Sequence, residues 1–91
     1  MSRRPGPVVA SLDRAGDHVV VRWTSGGVGG SCRFDHLPGT APEFLGSADE
    51  LLEGADRRLE GRVLDAVAAL ARTEGLQLGL WHDDQGVETL P

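Results

Sequence analysis

Hydrophobic and polar residues alternate most cleanly over residues 18–24, HVVVRWT, where Val19, Val21 and Trp23 share one side and His18, Val20, Arg22 and Thr24 the other. A period of two is that of a half-buried strand. Residues 31–37, SCRFDHL, repeat the pattern, with Cys32, Phe34 and His36 opposite Ser31, Arg33 and Asp35. In residues 76–82, LQLGLWH, Leu76, Leu78 and Leu80 oppose Gln77, Gly79 and Trp81. Two weaker runs, VVASLDR at 8–14 and VETL at 87–90, are set off by the turn segments AGD and DDQG and read as further strands.

The period changes in the middle of the chain. Leu52, Ala55, Leu59, Val63, Ala66 and Leu70 recur at steps of three and four, the spacing of one helix face. Ser47 stands three residues before Glu50, as in a capping box, and Gly75 follows the last turn as a left-handed cap. Gly54 and Gly61 interrupt this stretch, each costing a helix interior about 1 kcal/mol relative to Ala. The pattern therefore predicts either one helix over 48–74 or a short first helix that breaks at one of these glycines. A single helix would run ~40 Å and overhang strands that reach about 20 to 23 Å, which would create a dimer seam. Residues 38–46, PGTAPEFLG, hold two prolines and two glycines and read as a connecting loop.

These elements make an α+β fold of order β-β-β-α-β-β, an antiparallel sheet with one long or broken helix on one face. Residues 1–7, with two Arg, two Pro and one Gly, read as a flexible N-terminal arm, and 8–91 as a single domain. At 91 residues the chain buries only about 60 to 65% of the surface its unfolded form exposes, so a large catalytic cavity would compete with the core.

All nine basic residues are Arg, and Lys, Ile, Asn and Tyr are absent, as in proteins of GC-rich bacterial genomes. Without an ammonium group, Schiff-base and Walker-type lysine chemistry is excluded. Net charge is −5 and unevenly shared: residues 1–40 carry five Arg against three Asp, and 41–91 four Arg against eleven acids. That balance argues against broad nucleic-acid binding and favours a partner with a basic patch. A lone cysteine excludes an internal disulfide and suits a reducing cytoplasm. No stretch reads as a signal segment or a membrane span.

The chemistry on offer is sparse. The segment TSGGVGGSCRF places four glycines at 26–30 around Val28. A phosphate-cradling loop needs a helix after it, whereas a strand follows here, so the glycines read as a hairpin tip with Val28 available to a partner. Cys32 and His36 lie four strand positions apart, about 13 Å, too far for a nucleophile and its base. The triplet His82-Asp83-Asp84 reads as a solvated turn, and no cofactor or metal motif is present. What remains is the sheet face turned away from the helix, which carries His18, Arg22, Arg33, Gln77 and Trp81 and adds Val28 at its tip. Arg and Trp are the residue types enriched at binding hot spots.

The reading is thus a small non-enzymatic interaction or regulatory protein, homodimeric or bound to another protein. Two alternatives stand beside it. One is a small-molecule-binding accessory protein or biosynthetic enzyme with its site at Cys32, His36 and His82. The other is an acidic immunity- or antitoxin-type inhibitor of a basic partner.

Overall fold

The computed structural model describes residues 7–90, so all of the expected N-terminal arm except Pro7 lies outside the described residues. Among the described residues six strands form one sheet in chain order: β1 (Val9–Ala15), β2 (His18–Ser25), β3 (Val28–His36), β4 (Phe44–Ser47), β5 (Leu78–His82) and β6 (Gly86–Thr89). Every neighbouring pair is antiparallel except β4 and β5, which are joined by a crossover through helices α1 (Ala48–Leu52) and α2 (Arg57–Glu74). The α+β architecture is as the periodicities predict.

The 38–46 loop is a correction. Its last three residues and Ser47 form β4, paired with β3 through Asp35–Leu45 and His36–Phe44 and with β5 from Phe44–Leu78 to Ser47–Trp81. Four residues with a glycine among them carry too little pattern to signal a strand. Neighbours on both sides supply the hydrogen bonds, and a side chain at Gly46 would strike Cys32 Sγ at 2.7 Å and Phe34 Cδ2 at 2.9 Å.

Of the two helix alternatives, the break near Gly54 is the one realised. Ser47 caps α1, its hydroxyl accepting from the Glu50 amide at 3.4 Å. Asp56 starts α2 anew, its carboxylate accepting from the Leu59 amide at 2.9 Å. Gly75 closes α2 at φ 69°, with the Leu76 amide reaching back to the Ala71 carbonyl at 2.9 Å. The eighteen residues of α2 extend about 27 Å, no longer than the nine-residue β3, so no overhang arises. The buried stripe of α2 is Leu59, Val63, Val67, Ala68 and Ala71, while Ala66 and Leu70 are half-buried.

The core fills the space between the helices and one sheet face. Val19, Val21 and Trp23 of β2, Cys32 and Phe34 of β3, and Leu78 and Leu80 of β5 meet Leu51 of α1 and the stripe of α2. Removing each large aliphatic or aromatic side chain from water stabilises the fold by roughly 1.5 to 3 kcal/mol. At one end of this core the Trp23 indole donates to the buried Leu51 carbonyl at 2.7 Å, tying β2 to the last turn of α1. Gly30 makes that contact possible, since a Cβ there would lie 2.6 Å from the same carbonyl and 2.8 Å from Trp23 Nε1.

The glycine cluster at 26–30 is a hairpin tip, as the sequence predicts. Gly26 and Gly27, at φ 53° and 95°, form the two-residue turn between β2 and β3, the double positive φ that a type I′ turn requires. β3 then starts at Val28, earlier than alternation predicts, because Gly29 and Gly30 are strand residues.

Candidate interaction surface

Register decides which side chains share the outer face. Arg22 on β2 and Arg33 on β3 pair with Ser31 and Val20, and both guanidinium groups point away from the helices beside acids on their own side. Arg22 contacts Asp13 at 2.6 Å and Arg33 contacts Asp35 at 2.8 Å, both as exposed pairs. His18, at the start of β2, lies 3.3 Å from Asp17 and holds that carboxyl below its ordinary range. Exposed pairs of this kind contribute at most about 1 kcal/mol, so these charges set the character of the face more than its stability.

Trp81 is the centre of the face. It alternates with buried Leu78 and Leu80, so the strand that anchors the core holds the indole outward, 47% exposed. Ser47, Trp81 and Val87 form one row across β4, β5 and β6, and Val87 is 49% exposed. An open groove of about 370 Å³ runs beside the indole, walled by Arg33 and Asp35 of β3, Leu45 and Ser47 of β4, and Glu50 of α1. Next to it, buried Pro42 lies over Gly79, so the loop before β4 covers the start of β5 and leaves Trp81 open.

The structure brings some of the sequence-derived surface together and separates the rest. Arg33 and Trp81 share the groove, with Arg22 and His18 farther along the same face. Gln77, exposed just before β5, stands four residues from Trp81 and engages Phe44 through its backbone carbonyl. Val28 pairs with buried Ser25, which places it on the helix side of the sheet at the hairpin tip, 46% exposed. Leu45, Ser47, Glu50 and Val87 belong to the surface but were not read from sequence. Val87 faces Trp81 because β6 starts at Gly86, paired with His82 across a three-residue turn, one residue earlier than the DDQG signal predicts. The others depend on β4.

Cys32, His36 and His82 are not assembled into one site. The Cys32 thiol is buried and donates to the Ser47 carbonyl at 3.4 Å, and burial pushes its pKa up to about 11. His36 Nε2 lies 3.2 Å from Glu43 Oε1, with its ring against Phe44 at 5.0 Å between centroids. His82 Nε2 lies 2.9 Å from Glu88 Oε1. Because His36 shares a row with Phe44 and Leu78, it sits four residues' length away from His82 along the strands, about 13 Å, with β4 between β3 and β5. Among the described residues no group of three or more His, Cys, Asp or Glu side chains is placed to hold a metal ion, and no helix is long and apolar enough to cross a membrane.

Glu50 lines the groove, and further acids lie close to it along the chain. Asp49 and Glu50 occupy the first turn of α1, and Asp83 and Asp84 begin the β5–β6 turn two residues beyond Trp81. The Asp49 carboxyl, by hydrogen bonding and by its charge, holds the pKa of Asp83 above the ordinary carboxylate value. The two acids therefore stand close together at the surface.

The chain matches no protein-family model, and comparison with curated proteins and with solved structures finds no match. The functional reading rests on its own geometry.

Proposed function

We propose that this protein is a non-enzymatic protein-interaction module that works through the outer sheet face centred on Trp81. The observation that carries the reading is the exposure of a tryptophan on the strand that also supplies two wholly buried core leucines, next to an equally exposed valine. A rigid aromatic held outward by a core strand costs little conformational entropy when it is covered, and such residues dominate binding energies at interfaces. The groove beside it supplies both an apolar floor, Leu45, and hydrogen-bonding groups, Ser47 and the Arg33–Asp35 pair. The buried thiol and the two imidazoles, each beside its own glutamate, lend no comparable support to a small-molecule site.

Substitution separates this role from a structural one. Trp81→Ala is expected to change unfolding free energy by less than about 1 kcal/mol, as at other surface positions, and to weaken association by about 2 kcal/mol or more if Trp81 anchors the contact. Urea unfolding measures the first quantity. Native mass spectrometry of the protein purified from its source cells, parent against variant, measures the second. A large loss of stability with association unchanged would make Trp81 a structural residue and overturn the proposal.

A further inference from the structure

We infer that the surface around Trp81 receives an arginine side chain from a basic segment of a different protein, with the guanidinium against the indole and Asp49, Glu50 and Asp83 supplying the counter-charge. The inference rests on the interaction reading above and names the partner's chemistry.

Charge complementarity carries it. Within the groove Arg33 is matched by Asp35 at 2.8 Å, so Glu50 is left as the wall's excess charge. Asp49 precedes Glu50 on α1, and Asp83, two residues past Trp81 along the chain, interacts with the Asp49 carboxyl. An aromatic face next to several carboxylates is the environment that a guanidinium prefers, through attraction to the ring and hydrogen bonding to carboxylate oxygens.

The same charges argue against a second copy of the chain as the occupant. In a two-fold dimer the same patch meets itself, which would set Asp49, Glu50 and Asp83 of one copy against those of the other. Like charges facing across an interface suppress association. The chain as a whole carries −5, so two copies repel at long range, whereas a basic partner is steered inward.

The test is a nuclear magnetic resonance titration of the full chain with a heptapeptide of alternating glycine and arginine, Gly-Arg-Gly-Arg-Gly-Arg-Gly, and with its citrulline counterpart, which keeps the shape and loses the charge. The arginine peptide is expected to shift the Trp81 indole and the Ser47, Glu50 and Asp83 amides, more weakly as salt is raised, while the citrulline peptide leaves them in place. Trp81→Ala, and separately the double variant Asp49→Asn with Asp83→Asn, are each expected to weaken binding by about tenfold. Equal shifts with citrulline, shifts confined to α2, no shifts at all, or a dimer that buries Trp81 would each overturn the inference. If the peptide fails while Trp81→Ala still abolishes association in mass spectrometry, the interaction face stands and only the basic partner is refuted. If Trp81→Ala leaves association intact, the face itself is refuted.

Discussion

Gly54 and Gly61 look alike in the sequence, two glycines seven residues apart in one helical stretch, yet the structure assigns them opposite responses to the same substitution. A Cβ at Gly61 meets nothing within 4 Å on the exposed side of α2. Gly61→Ala therefore gains the propensity term alone, about 1 kcal/mol. For a domain of this size that corresponds to a rise in Tm of roughly 4 to 8 °C. A Cβ at Gly54 would lie 2.5 Å from the Gly29 carbonyl oxygen and 3.4 Å from its carbon, both backbone atoms of β3. Relief requires the α1–α2 turn or the glycine-rich hairpin to move, and Gly30, next in β3, sits under the Trp23–Leu51 hydrogen bond. Overpacking of this kind typically costs about 1 to 3 kcal/mol, so Gly54→Ala should destabilise. Its φ is not positive, so the cost measures contact rather than a forbidden backbone. Urea unfolding of both variants, with unchanged m, gives the two signs directly. A Gly54→Ala protein as stable as Gly61→Ala would refute the close approach of the hairpin to the α1–α2 turn, and with it the placement of the first helix.

Three further outcomes follow from the geometry. Cys32, buried and with its pKa pushed up to about 11, should resist alkylation at neutral pH and react only at the rate at which the chain unfolds; rapid labelling of the native protein would contradict its placement. Trp23→Phe leaves the buried Leu51 carbonyl without its donor and should cost at least about 1 to 3 kcal/mol, read by denaturation, with a change under about 0.5 kcal/mol, the ordinary surface range, counting against the bond. Asp83 has a folded pKa raised by the Asp49 carboxyl beside it, so its protonation favours the fold, and this contribution is lost as pH rises through that pKa. Asp83→Asn should accordingly melt above the parent at neutral pH, and the gap should narrow in acid and in high salt; a gap independent of pH would show that the two carboxylates do not interact.

Those parts of the fold that bury one face were legible in the sequence, because burial writes a period into the chain. Val19, Val21 and Trp23 on β2, and Leu78 and Leu80 on β5, each mark their inner side, and Trp81 follows as outward from the same alternation. β4 left no such mark: of its two inner residues, Phe44 and Gly46, the second is there for lack of a side chain, and its partner β5 lies more than thirty residues on. The helix break was half-legible. Asp56, three residues before Leu59, has the cap chemistry, but the apolar stripe runs on through Leu52 and Ala55 and masks the restart. For the surface, alternation placed Arg22, Arg33 and Trp81 on the outer side without help. Val28 depended on the two-residue turn, whose register sends it to the helix side opposite Ser25. The acidic rim required the crossover to bring α1 next to the β5–β6 turn, and nothing local in either segment announces that meeting.

On the proposed function, the uncovered sheet face at Trp81 is where this protein meets another. Native mass spectrometry of the protein gently purified from its source cells, recording oligomer mass and any bound mass together, tests it most directly when Trp81→Ala is run alongside. A protein-sized added mass is expected on the parent and is expected to be lost from a folded Trp81→Ala variant. A monomer carrying a stoichiometric small molecule or metal, unchanged by that substitution, would contradict it.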